Sequence, residues 1–188
     1  MHLEQALVEH GALTLAGLKP ASLFRFLPRD GLGFIRQFLS CRALLVRNGL
    51  TLTILKGCRR TGEYLLCLYR GRDLEAVLAR EEHRRFLLDE IGYDPWADVR
   101  DCLRQLAARL CLSQAFPHEV GVFLGYPLED VKGFIANEGK NYTFCGCWKC
   151  YGDPETARRR FERYRRCTDL YRLRFARGAT LDQLTVAA

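Results

Sequence analysis

Apolar residues recur along most of this chain at intervals of three and four, and in a few short runs at intervals of two. The first spacing marks one face of a helix and the second one face of a strand. A short amphipathic stretch from Leu3 to His10 leads into LAGLKPASLF, where Gly17 and Pro20 interrupt the periodicity and predict an ordered loop. A long helix is expected from Asp30, which serves as N-cap, with Leu32, Ile35, Leu39 and Val46 on one face and Asn48-Gly49 at its end. LTLTILK and EYLLCLY then alternate on either side of GCRRTG, which predicts a β-hairpin over residues 50–56 and 63–69. Two strands alone are marginal, so a third strand or a packed helix is required.

Helical patterning resumes from Asp73 to about Ile91. Beyond Gly92, Asp94-Pro95-Trp96 supplies an N-cap and a proline for the first turn of another helix. Trp96, Val99, Leu103, Leu106 and Leu110 follow as its core-facing stripe. FPHEVGVFLGYPLEDVKGFIANEG predicts two short helices opened by Pro117 and Pro127, joined through Gly125-Tyr126 and stopped at Gly139. NYTFCGCWKCYG is rich in aromatics, which makes residues 142–148 the candidate third strand. A last helix from Pro154 to Arg177 aligns Ala157, Phe161, Tyr164, Thr168, Tyr171 and Phe175 on one face. The fold class expected is α+β: a small antiparallel sheet of about three strands packed by several helices, as a single domain over residues 1–188.

Composition adds a setting. A chain of 188 residues with 48% hydrophobic content can bury one core, which excludes a disordered protein. The opening Met1-His2-Leu3-Glu4-Gln5 has no basic or apolar leader, and no run approaches the ~20 apolar residues of a membrane span, so a cytoplasmic protein without a membrane partner is expected. Nine scattered cysteines, an odd count, argue for reduced thiols, and Cys41, Cys102 and Cys111 within helical patterns read as small apolar groups. Of the net charge of +7, the segment 153–177 carries nine arginines against four acids. Glu155 with Arg159 and Glu162 with Arg166 stand four residues apart there, the arrangement of a solvated, internally paired helix face.

HEVGVFLGYPLEDVKGFI, GKNY, CGCWKCYGD and the late LTVA, together with LAGLKPASLF near the start, resemble domain-of-unknown-function family 3793, small proteins found mainly in anaerobic bacteria. Members of that family tend to be encoded near flavodoxin or ferrous-iron uptake genes, so the resemblance implies a role in iron or redox physiology. It further implies cysteines matching Cys145 and Cys167, whereas a tyrosine and a valine are common where this chain has Cys147 and Cys150. A metal site shared by the whole family and built on all four thiols is therefore not implied.

The chemistry-bearing residues gather in two motifs. Cys145, Cys147, Cys150 and Cys167 have spacings from which thiolates can converge on zinc or an iron–sulfur cluster. On a regular strand, however, Cys145 and Cys147 share a face that Cys150 does not, and chelation by all three needs a bend at Gly146. We therefore expect Cys145 and Cys167 to approach one another while Cys150 stays apart. Cys147-Trp148-Lys149-Cys150 has the gap of a dithiol redox motif but lies in a strand-like run instead of opening a helix. Gly125-Tyr126 resembles the turn of a helix-turn-helix over 117–138, yet Glu129 and Asp130 at the start of its second helix would be repelled by phosphate, and acids in a first turn suit the helix dipole. Sequence-specific nucleic-acid recognition is accordingly disfavoured. A phosphate loop is excluded at Gly133 to Lys140, which has the wrong spacing and ends a helix instead of opening one.

The expectation is a non-enzymatic binding protein for a small ligand, a metal or a protein partner, with His118, Glu119, Asn141, Tyr142, Cys145, Trp148 and Tyr151 as ligand-binding residues. No motif names a cofactor. The alternatives are a DNA-binding regulator using 117–138 and an enzyme using His118, Glu119 or the thiols between Cys145 and Cys150.

Overall fold

The alternation expected of EYLLCLY does not hold: from Tyr64 to Tyr69 it is apolar at consecutive positions, a pattern that suits a strand covered on both faces. A computed structural model, which describes residues 2–94, 97–112 and 115–188, gives it that environment. In chain order the elements are α1 (Leu3–Leu15), β1 (Ala21–Phe26), α2 (Gly31–Arg47), β2 (Leu50–Gly57), β3 (Tyr64–Arg70), α3 (Gly71–Leu78) and α4 (Glu81–Arg85). A π-helical turn (Phe86–Ile91), α5 (Val99–Leu112), α6 (Val120–Phe123), α7 (Leu128–Ala136), β4 (Phe144–Cys145), β5 (Lys149–Cys150) and α8 (Pro154–Ala176) follow.

The first three strands form an antiparallel sheet of order β1-β3-β2. Because side chains alternate along a strand, β3 feeds two cores at once. Leu66 and Leu68 join Phe24, Phe26, Leu50 and Leu52 under α1, α2 and α8. Cys67 and Tyr69 face the opposite side, against α3, the π-helical turn, α5, α6 and α7. β2 carries a bulge between Ile54 and Lys56, and its Leu55, on the face opposite Leu50 and Leu52, packs in that second core. A third apolar cluster joins the base of α8 to the β4–β5 hairpin through Cys150, Ala157, Phe161 and Tyr164.

The α+β class and the 50–56 and 63–69 hairpin are as expected, but the third strand is not at 142–148. It is β1, inside the segment expected to be a loop, and its pairing with β3 runs from Ala21↔Tyr69 to Phe26↔Tyr64. Only the turn at Gly17, with φ +72, matches the loop expectation. Residues 142–148 instead enter a separate two-stranded hairpin.

Asp30 caps α2 as expected, its carboxylate accepting from Gly33 N at 2.6 Å, but the packed face is the other one. Phe34, Cys41 and Leu45 are buried, while Leu32, Ile35, Leu39 and Val46 are exposed. Two stripes on this helix have helical spacing, and the aromatic one wins because Phe34 stacks on Phe26 at 5.5 Å and on Tyr64 at 4.5 Å, covering more apolar area.

The helix expected from Asp73 to Ile91 is broken after Leu78. Leu103, Leu106 and Leu110 pack as predicted, whereas Pro95 and Trp96 lie outside the described residues. The buried guanidinium of Arg70 donates to the carbonyls of Val186 (2.9 Å), Ala187 (2.9 Å) and Thr14 (3.3 Å) and pairs with Asp73 at 2.8 Å, fixing residues 186–187 against the end of α1. Among the described residues no helix is long and apolar enough to cross a membrane.

Candidate functional site

Gly146 bends the CGCWKC segment back on itself. Thr143 N donates to Cys150 O at 2.9 Å and Gly146 N to Trp148 O at 3.1 Å, closing the β4–β5 hairpin. A Cβ at Gly146 would run into the Phe161 ring of α8, so the hairpin can lie on that helix only with glycine there.

The other side of the hairpin is tied to α7 by one buried carboxylate. Asp130 Oδ1 accepts from Tyr151 N at 2.6 Å and Gly152 N at 3.3 Å, and Oδ2 accepts from Trp148 Nε1 at 2.7 Å. An ionised group out of water persists only when so satisfied, and hydrogen bonds to it are stronger than neutral ones. The acid assigned to the helix dipole is thus a clasp between two elements. Its signal in the sequence was the hairpin tryptophan, whose indole N–H needs an acceptor once buried.

With the hairpin held this way, a cavity of about 460 Å³ remains between β1, α6, α7 and β5. Leu23, Val120, Leu124, Val131, Phe116 and Phe134 supply apolar walls, and Tyr126 and Trp148 stack on each other at 4.3 Å and 18°. Lys19 caps the far face of that pair, 5.0 Å from the Tyr126 ring, and burial lowers its amine to about 8. The positive φ of Gly125 (+73) makes the turn that seats Tyr126, and Pro20 packs directly against that glycine.

The polar members of the wall are His118, Asp130 and Lys149. His118 packs on Phe134 with ring centroids 4.6 Å apart. Lys149 Nζ donates to Gly139 O at 2.7 Å and lies 5.9 Å from the Phe134 ring and 5.1 Å from that of Tyr142.

Of the seven ligand-binding residues expected, the fold brings His118 and Trp148 into this wall. Glu119 is buried elsewhere, accepting from Arg109 Nε at 2.5 Å. Asn141, Tyr142 and Cys145 are exposed outside the wall, and Asn141 takes a left-handed conformation (φ 58) with its amide on Asn137 at 3.3 Å. Tyr151 gives its backbone N–H to Asp130 and lays its ring over Gly133 of α7. Leu23, Phe116, Tyr126, Phe134 and Lys149 escaped the sequence reading because four separate segments supply them.

Cys150 pairs with Phe144 across the hairpin, so its buried thiol lies on the face opposite the exposed Cys145, and burial and then Asp130 push it up to about 12. Cys167 packs instead in the core beneath α1 and α2. Burial also raises the thiols of Cys147 and Cys167. Among the described residues no three His, Cys, Asp or Glu side chains are placed to share a metal ion.

Compared with known proteins, the chain matches over residues 7–185 the model of a family described as protein of unknown function (DUF3793). No curated protein and no solved structure matches it.

Proposed function

The chain belongs to this family of unknown function, and we propose that it is a binding protein whose small, ring-bearing, anionic ligand occupies the cavity between α6, α7 and the β4–β5 hairpin. The observation that carries this is the wall itself: about 460 Å³, mostly apolar and aromatic, with a few converging polar groups. Ligand sites typically have this size and make-up. Both Asp130 oxygens already accept hydrogen bonds, so the groups left to meet a ligand are the His118 imidazole and the Lys149 ammonium, which keeps donors beyond the one given to Gly139. A carboxylate or sulfonate matches them, and a flat apolar body matches Tyr126, Trp148 and Phe134.

The family resemblance supports an iron or redox setting for this ligand. Nine free cysteines support a reducing cytoplasm. The regulator alternative loses ground, because α6 spans only four residues and the hairpin covers the first turn of α7, the end that would have to enter a groove. The enzyme alternative loses Glu119 as a free general base, since its carboxylate is occupied by Arg109.

Titration with 1-anilinonaphthalene-8-sulfonate, an apolar ring system bearing an anion, tests the proposal. One saturable site is expected, abolished by filling the cavity with Leu124→Trp and weakened about tenfold by Lys149→Gln. Unchanged binding in both variants contradicts it.

A further inference from the structure

The exposed stripe of α2 is spaced as a helix-pairing seam. Leu32, Ile35, Leu39 and Val46 are 74%, 54%, 56% and 54% exposed. They occupy positions a, d, a and a of successive heptads, over ~21 Å at ~1.5 Å per residue. The remaining d position holds Arg42, with Arg36 on the flank and Arg47 at the end, all exposed. No acid occurs between Gly31 and Arg47, and among the described residues none of these three arginines forms an ion pair. The cap acid Asp30 is engaged with Gly33 N. Glu4 of α1 acts on α2 from the packed side, where its charge adds to the effect of burial in raising the Cys41 thiol.

We propose that this face docks an amphipathic helix of another protein, one with an aliphatic seam flanked by Asp and Glu and a carboxylate opposite Arg42. An arginine inside an apolar seam becomes favourable on burial only with such a partner. A second copy of this chain fits the apolar positions but not the charges. Antiparallel pairing about Leu39 matches Leu32 with Val46 yet sets Arg36 against Arg42, and parallel pairing sets Arg42 against Arg42. A lipid surface suits the face less well, because the exposed stripe of α2 carries no Trp or Phe to anchor it in an interface and the aromatic face of the helix is already packed.

The test is a display library of helical peptides of about 21 residues, leucine at a and most d positions, with Glu or Lys randomised on the flanks and opposite Arg42. It is selected on the full chain against a Leu39→Asp control, whose exposed site leaves the fold intact by circular dichroism. Acid-flanked peptides are expected to be enriched and to bind Leu39→Asp at least tenfold more weakly, and Arg42→Glu is expected to turn the preference opposite that position to lysine. Any of four results overturns the proposal: no enrichment, enrichment indifferent to flank charge, a wild-type dimer that Leu39→Asp dissociates, or phosphatidylglycerol-vesicle binding that Leu39→Asp abolishes.

Discussion

Replacing Asp130 by asparagine keeps the shape of the clasp and removes its charge. The carboxylate accepts from three donors, at 2.6, 2.7 and 3.3 Å. Asparagine has one oxygen, which can keep Tyr151 N and Gly152 N only by turning its amide N–H groups toward the Trp148 indole, donor against donor. One hydrogen bond to a charged group, worth about 1.5–3 kcal/mol, is lost, and the two that remain become neutral ones of about 0.5–1.5 kcal/mol each. Relief of carboxylate desolvation offsets part of this, leaving a net loss of about 2–4 kcal/mol. For a chain of this length a kilocalorie shifts Tm by about 2–4 °C, so a fall of roughly 4–16 °C is expected. Urea denaturation should show a lower midpoint at unchanged slope, and 1-anilinonaphthalene-8-sulfonate affinity should fall in step as the hairpin loosens. A loss below about 1 kcal/mol would refute the clasp.

Gly146→Ala should destabilise by about 1–3 kcal/mol, read by chemical denaturation, since the Phe161 ring must move to admit a methyl group. Arg70→Met should lose about 2–4 kcal/mol by leaving buried carbonyls without donors, and protease sensitivity should appear near residues 186–188; a stability equal to wild type would contradict the role given to Arg70. Burial holds Lys19 at about 8 against an ordinary 10.5, so the folded state releases this proton first and the charged amine opposes folding below pH 8. Lys19→Met should therefore be more stable than wild type at pH 7 by at most about 3 kcal/mol, less the lost contact with Tyr126, and that advantage should shrink between pH 8 and 10.5; a difference independent of pH would refute it.

Features set by local chemistry were legible in the sequence. The Asp30 cap, the β2–β3 hairpin, the Gly139 stop and the buried face of α8 follow from neighbours within a few residues. Those set by partners far along the chain were not. ASLFRF becomes a strand because β3, some forty residues later, offers an edge, and Gly17 and Pro20 beside it signal only the turn. On α2 both apolar stripes obey helical spacing, and the choice between them belongs to Phe26 and Tyr64 on the sheet. The motifs around His118 and Trp148 pointed to the right region, but the residues that make it concave come from β1, α6, α7 and β5 together. A period-two reading of CGCWKC as one strand missed a local feature: Gly146 turns the chain into a hairpin, in which Cys150 pairs with Phe144.

Native mass spectrometry of protein purified anaerobically, wild type beside Leu124→Trp, tests the central claim most directly. The wild type should carry a small anionic molecule at one per chain, released on denaturation and missing from the cavity-filled variant, whose mass should equal that of the bare polypeptide. A wild type that is always bare, or a ligand held equally by both proteins, would contradict the account.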